Sequence, residues 1–435
     1  MKKLLSPWAW IPTLYFAEGI PYFIVNVISV TMFKRMGMAN DDLAFYTSLL
    51  YLPWVIKCFW SPFVDVIRTK RWWIVLTQAV MTLSFAALAL ALPHLTPETI
   101  ASGNAGIRPF IWMLVIFYIT AFASATHDIA ADGFYMIALD SHRQSLFVGV
   151  RNTFYRIASW FGQGVLVVIA GVLETKYGDI PRAWSLVLLL TALVFAAVTL
   201  WNAFSMPRAE VAAEAETASA CEIFRGFGRS FATFFSKKGI ILAMLFMLLY
   251  RIPEAFSVKM LTPFLLDSAE AGGLGLSTAD SGLIYGTVGA IALLCGGLLG
   301  GVAAAGWGLR KALWPMAMAL ALPCAVYLYL AMAQPSQIWI VYLCVAFDQF
   351  GYGFGFTAYT LFMMYFAEGE FKTSHYAICT AFMALSMMIP GLFAGFLQKA
   401  LGYVNFFWVV MLCCLATIIV TFFARRKVSS DYGRK

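Results

Sequence analysis

PFIWMLVIFYITAFASATHDIAADGFYMIA, residues 109–138, is long and apolar enough to cross a bilayer, yet it carries Asp128 and Asp132 in its second half. Roughly 20 apolar residues suffice for a spanning helix. A charge near the centre of such a helix costs about 3 kcal/mol or more, so two carboxylates here need a reason. At i,i+4 they share one face of the helix.

The rest of the chain follows the same plan. Of its 435 residues 62% are hydrophobic and only 12% charged, far from the usual balance of a soluble domain. Apolar runs fall at 8–33, 43–64, 72–92, 109–138, 145–172 and 182–204, and again at 239–266, 278–305, 311–333, 337–366, 374–398 and 402–424. The expectation is an all-α integral membrane protein of twelve transmembrane helices. It divides into a six-helix bundle (1–204), a linker (205–236) and a second six-helix bundle with a short tail (237–435). Lys2 and Lys3 precede a run too long for a cleaved signal and without a small-residue cleavage site, so the first helix is read as retained.

The net charge of +8 would suit nucleic acid, but its placement does not. With the N-terminus inside, nineteen Lys and Arg fall on inner segments and six on outer ones. That bias places both termini in the cytoplasm of a cell whose inner membrane holds the chain. Seven cysteines lie within apolar runs and Cys221 in the linker, with no CxxC spacing. They read as small buried hydrophobes, and neither metal nor cofactor is expected. In the linker Phe224, Phe227, Phe231, Phe234 and Phe235 recur at helical spacing around Arg225 and Arg229. This predicts an amphipathic helix on the inner leaflet, serving as a strut between the halves.

The halves echo each other. Asp128 aligns with Asp348, and then Gly133-Phe134 coincides with Gly353-Phe354. Glu18 precedes Ile20-Pro21, and Ile252-Pro253 precedes Glu254. An internal duplication of this kind builds transporters whose halves surround a central cavity, with the site near the midplane.

Counting from the inner ends places Asp128 level with Arg156, and Asp132 level with Arg151, the first pair about 15 Å deep at 1.5 Å per residue. Arg151 and Arg156 are about 140° apart around their helix, so one of them is expected to face elsewhere. Glu254 has Arg251 one turn away and reads as a local ion pair, whereas Glu18 and Asp348 have no cation in their own helices. A carboxylate without a fixed cation is the better proton carrier. Glu18, Asp128, Asp132, Asp348, Glu254, Arg151 and Arg156 are therefore the candidate proton and substrate site, with His127 a weaker candidate beside Asp128. Trp60, Tyr155, Trp160, Tyr250, Tyr352 and Tyr359 are aromatic candidates for an amphipathic ligand, though helix packing explains most such residues.

The end of the second run reads Lys57-Cys58-Phe59-Trp60-Ser61-Pro62-Phe63-Val64-Asp65, followed by Arg68, Lys70 and Arg71. A carboxylate at a helix end before a short basic loop resembles the gating signature between helices 2 and 3 of the major facilitator superfamily. Ser61-Pro62 stands where glycine is usual. The corresponding loop of the second half, from Gly300 to Arg310-Lys311, keeps glycines and basic residues but no aspartate. Lys57, Trp60, Ser61, Pro62, Asp65 and Arg68 are the gating candidates. The string from Lys57 to Asp65 is similar to the helix 2 motif of the AmpG-type muropeptide permeases and the related acetyl-CoA transporters. Ser124-Ala125-Thr126-His127-Asp128-Ile129, with Asp132, resembles that branch's helix 4 pattern, in which glutamine commonly takes the place of His127.

The resemblance implies the major facilitator fold and proton-coupled import of anhydro-muramic amino-sugar fragments; from the residues themselves, Arg151 and Arg156 would meet an acidic group of such a cargo. It singles out Lys57, Asp65, Asp128 and Asp132. The enterobacterial permeases are longer and carry more helices, and the same branch contains siderophore importers of about this length. A siderophore, an exported drug or an acyl-CoA is therefore an alternative cargo. The implied partners are a small polar or amphipathic substrate, protons and the lipid bilayer, with the chain a monomer. A membrane-embedded enzyme is disfavoured, since the four histidines (His94, His127, His142, His375) form no HExxH or nucleophile arrangement, and a sensor lacks an appended domain. No P-loop is present for ATP-driven transport.

Overall fold

The computed structural model describes residues 6–95, 107–139, 141–208, 220–369, 371–429 and 432. Among them every regular element is helical. The spans are α1 (Pro7–Arg35), α2 (Asn40–Ser61), α3 (Lys70–His94), α4 (Arg108–Ala138), α5 (Val150–Tyr177) and α6 (Ile180–Ser205). After the linker come α7 (Ile240–Leu266), α8 (Thr278–Trp307), α9 (Leu309–Ala333), α10 (Ile338–Ala367) and the long stretch Ser374–Lys427. Gly402, at φ 71°, breaks that stretch into α11 (374–401) and α12 (403–427). The expected twelve apolar helices are thus present among the described residues.

The chain forms two compact units. The first comprises residues 1–32 and 56–226, and the second residues 33–55 and 227–435. Nothing in the composition of 33–55 marks that segment as belonging with the later helices. It comprises the last turn of α1 and most of α2.

The first unit has a core of Trp10, Ile11, Leu14 and Tyr15 of α1 against Ile74 of α3 and Ala130, Ala131 and Phe134 of α4. Through it runs a chain of side-chain hydrogen bonds. Thr13 Oγ1 donates to Asn202 Oδ1 at 2.6 Å, Asn202 Nδ2 to Gln78 Oε1 at 3.3 Å, and Gln78 Nε2 reaches His127 Nε2 at 2.9 Å. Four spans are pinned together this way, because a polar group in lipid must find its partner within the protein.

In the second unit α7 is interrupted at Tyr250 and Arg251, just before Pro253. Proline lacks an N–H and leaves the carbonyl four residues back unpaired. That carbonyl, Leu249 O, accepts from Thr417 Oγ1 of α12 at 3.3 Å, as does Tyr250 O at 3.0 Å. Helices α8 and α10 meet backbone to backbone. A Cβ on Gly296 would collide with Phe350 O, and one on Gly353 with Leu293 O, the close approach that small residues allow between membrane helices.

The later part of the linker helix (Ala220–Phe235) packs on the second unit: Phe234 is fully buried, with ring centroids 5.6 Å from Phe366 and 5.5 Å from His375. Thr233 Oγ1 lies 3.1 Å from His375 Nε2. Just beyond the helix, Lys237 Nζ caps Phe366 O and Glu368 O at 2.6 and 2.8 Å. Arg225, Arg229 and Phe235 remain exposed, while the side chains of Phe224 and Phe227 lie outside the described residues.

Candidate functional site

The first unit brings five ionisable side chains from four spans together. Lys57 of α2 forms an ion pair with Asp128 of α4. Arg151 Nη2 of α5 lies 2.7 Å from Asp132 Oδ1 of α4. The Glu18 carboxyl of α1 lies against that of Asp128; Glu18 is buried and its Oε2 has no hydrogen-bond partner. Arg151 is also held over the rings of Tyr15 and Tyr135, at 4.5 and 5.8 Å, a cation–π arrangement that orients the guanidinium.

Helical counting placed Arg151 with Asp132, as found, but Asp128 level with Arg156. Its partner is Lys57 instead. Arg156 is half-buried and forms no ion pair among the described residues. The reason is the angular offset between the two arginines: with Arg151 turned toward α1 and α4, Arg156 points elsewhere.

Lys57 thus belongs to the charge cluster as well as to the Lys57–Asp65 motif. Trp60 Nε1 donates to Thr126 Oγ1 of α4 at 3.2 Å, and its ring lies 5.5 Å from that of Phe122. Ser61 is half-buried and Arg68 exposed. The side chains of Pro62 and Asp65 lie outside the described residues. His127 is buried and ends the amide chain from Thr13, facing away from Asp128's partners.

In the second unit Glu254 and Asp348 take different hydrogen-bonding partners. Arg251 grips Glu254 with both nitrogens, Nε to Oε2 at 2.8 Å and Nη2 to Oε1 at 3.1 Å, the local pair expected from their spacing. Its Nη2 also donates to Tyr352 OH at 3.0 Å, with the Phe356 ring 4.9 Å away. Asp348 has no cation among the described residues; it accepts from Tyr327 OH at 2.6 Å and Gln349 Nε2 at 3.1 Å.

One polar cluster escaped the sequence reading. Asn40 Nδ2 donates to Asp267 Oδ2, Gln398 Oε1 and Tyr403 OH at 3.0, 3.0 and 3.1 Å. Lys34 Nζ lies 2.5 Å from Asp267 Oδ1, and Lys399 Nζ 2.7 Å from Asp41 Oδ2. Burial works to raise Asp267, but hydrogen bonds from Lys34, Tyr403 and Asn40 outweigh it and hold the carboxyl below its usual range. These residues stand at helix ends in ordinary polar context, so only proximity distinguishes them.

No protein-family model matches the chain. An uncharacterized protein of Haemophilus influenzae is 22% identical over 421 residues, covering 94% of this chain and 92% of its own. The anhydromuropeptide permease of Escherichia coli K12 is 24% identical over 428 residues, covering 97% of this chain and 80% of the permease. Among solved structures, a D-xylose–proton symporter superposes with a TM-score of 0.74 at 12% identity, over 97% of this chain and 98% of the symporter. The chain is a multi-pass membrane protein with the major facilitator fold, similar over nearly its whole length to an AmpG-type anhydromuropeptide permease.

Proposed function

We propose that this protein imports anhydro-muramic amino-sugar fragments by proton symport, working by alternating access in the inner membrane as a monomer with both termini in the cytoplasm. The observation that carries the coupling is a charge count. Glu18, Asp128 and Asp132 supply three carboxyl groups, and Lys57 and Arg151 two cations. In a low-dielectric span such a cluster is neutral when it holds one proton, and adjacent carboxyls share one readily. Glu18, with an oxygen that lacks a partner, is the natural seat for it. Loss of that proton leaves a net negative charge and favours rearrangement of the Lys57–Asp128 and Arg151–Asp132 pairs. Asp348 offers a second proton position, while Arg251–Glu254 is a structural pair. The gating motif follows the same logic, since Lys57 links it to the cluster.

The cargo reading rests on the similarity to the permease. A second reading, another amphipathic cargo on the same machine, is favoured by the low identity, 24%, to that relative. Uptake of labelled N-acetylglucosaminyl-anhydro-muramic acid into cells expressing the protein, with and without a protonophore, tests both parts. Accumulation that collapses with the proton gradient is expected. Uptake indifferent to the protonophore would remove the coupling, and absence of uptake by membrane-inserted protein would remove the cargo.

A further inference from the structure

Lys259 is 6% exposed and lies seven residues before the end of α7 at Leu266, about 10 Å along the helix. Its Nζ donates to Thr47 Oγ1 of α2 at 3.1 Å, and that hydroxyl passes its own proton to Leu43 O at 2.6 Å. The Tyr51 ring stands 5.5 Å away. No carboxylate pairs with Lys259 among the described residues, whereas the equally buried Arg251 is held by both oxygens of Glu254. An ammonium has three N–H donors, so two are left without an acceptor among the described residues. Next to it Ser48 Oγ is fully buried and has no hydrogen-bond partner. Both side chains lie on the bare face of Gly391, where a Cβ would meet Ser48 Oγ and come within 3.2 Å of Lys259 Cε.

Buried donors without acceptors are costly, and an intramembrane cation without a counter-charge more so. The geometry points to Lys259 and Ser48 as the carboxylate-binding subsite for the cargo, a refinement that rests on the transport reading above. A carboxylate brings two oxygens with four lone pairs, enough for the two idle N–H groups and the Ser48 hydroxyl together. Thr47 holds the ammonium between turnovers. Thr47 and Lys259 are 212 residues apart, on segments either side of the linker. A carboxylate arriving there competes with the Thr47 hydroxyl for the ammonium. Arg151 is not equivalent, because Asp132 and two tyrosine rings already occupy it.

The test uses purified full-length protein in lipid nanodiscs and two probes. One is N-acetylglucosaminyl-anhydro-muramic acid, and the other is the same disaccharide with its lactyl carboxyl converted to the amide. Wild-type protein should bind the acid about tenfold or more tighter than the amide, the scale of one charge-assisted contact. Lys259→Gln should erase that preference by weakening the acid alone, and Lys259→Arg should keep part of it. A wild type without acid preference, a preference that survives Lys259→Gln, or equal weakening of both probes overturns the proposal. Thermal unfolding without cargo gives an independent readout. Lys259→Met should raise the midpoint, because an unpaired buried cation is removed; a lowered midpoint would make Lys259 a structural residue and overturn the assignment. Binding of neither probe by wild type, together with a stabilised Lys259→Met, would reject the muropeptide cargo while supporting a carboxylate subsite for a different acid.

Discussion

Lys57 and Asp128, 71 residues apart in sequence, form an ion pair that joins α2 to α4 beside the Glu18 carboxyl. The same lysine heads the Lys57–Asp65 motif, so that motif and the charge cluster share a residue. Any movement of the α2 end therefore changes the environment of Asp128.

That coupling is measurable. Lys57→Met and Asp128→Asn should each lower the unfolding midpoint, and the double variant should recover part of the loss. Coupling of about 1–3 kcal/mol is expected for residues in one network, reduced because the side chains are 17% and 20% exposed. Strict additivity in thermal unfolding of the four proteins would show that the pair contributes nothing.

Asp128→Asn and Glu18→Gln should abolish proton-driven accumulation while leaving cargo exchange between two pools at equal pH within about threefold. Both assays use the same vesicles, and a factor of ten in accumulation corresponds to about 1.4 kcal/mol of driving force. Full accumulation by either variant would take that residue out of the proton pathway.

Asp348 and Tyr327 separate a hydrogen bond from a charge. Tyr327→Phe removes the 2.6 Å donor to a buried carboxyl and should destabilise by about 1–3 kcal/mol. Asp348→Asn keeps an acceptor for Tyr327 and should be neutral or stabilising. The reverse order in thermal unfolding would mean that the negative charge of Asp348 is itself required for folding.

At Asp267, protonation would discard the contacts from Lys34, Asn40 and Tyr403. Its folded-state carboxyl is held below the ordinary value, which is about 4. The associated stability is therefore fully present above about pH 4 and is lost as the pH falls through the depressed folded value. Between pH 5 and 8 the midpoint should not change on this account. The acid-side decline should be shallower in Asp267→Asn, and an identical profile would remove Asp267 as its source.

The α8–α10 contact gives a packing test with an internal control. Gly353→Ala places a methyl against Leu293 O, whereas Gly301→Ala meets nothing within 4 Å. The first should lower the midpoint by the equivalent of about 1–3 kcal/mol, and the second should leave it unchanged. Equal effects would show that the helices part freely there.

The sequence alone determined the class of the protein. Twelve apolar runs set the number of spans through bilayer thickness, and the carboxylates Glu18, Asp128, Asp132, Glu254 and Asp348 were visible because charge is rare in such runs. The Arg251–Glu254 pair was legible too, since a three-residue spacing on one helix brings side chains together. Contacts between helices were not. That Lys57 meets Asp128, that Gln78 and Asn202 relay hydrogen bonds to His127, and that Lys259 has Thr47 where a carboxylate would be expected depend on helix rotation and depth. One residue of helical offset turns a side chain by about 100°. Rotation and depth are settled only when glycines such as Gly296 and Gly353 let backbones touch and most polar groups find partners inside the protein.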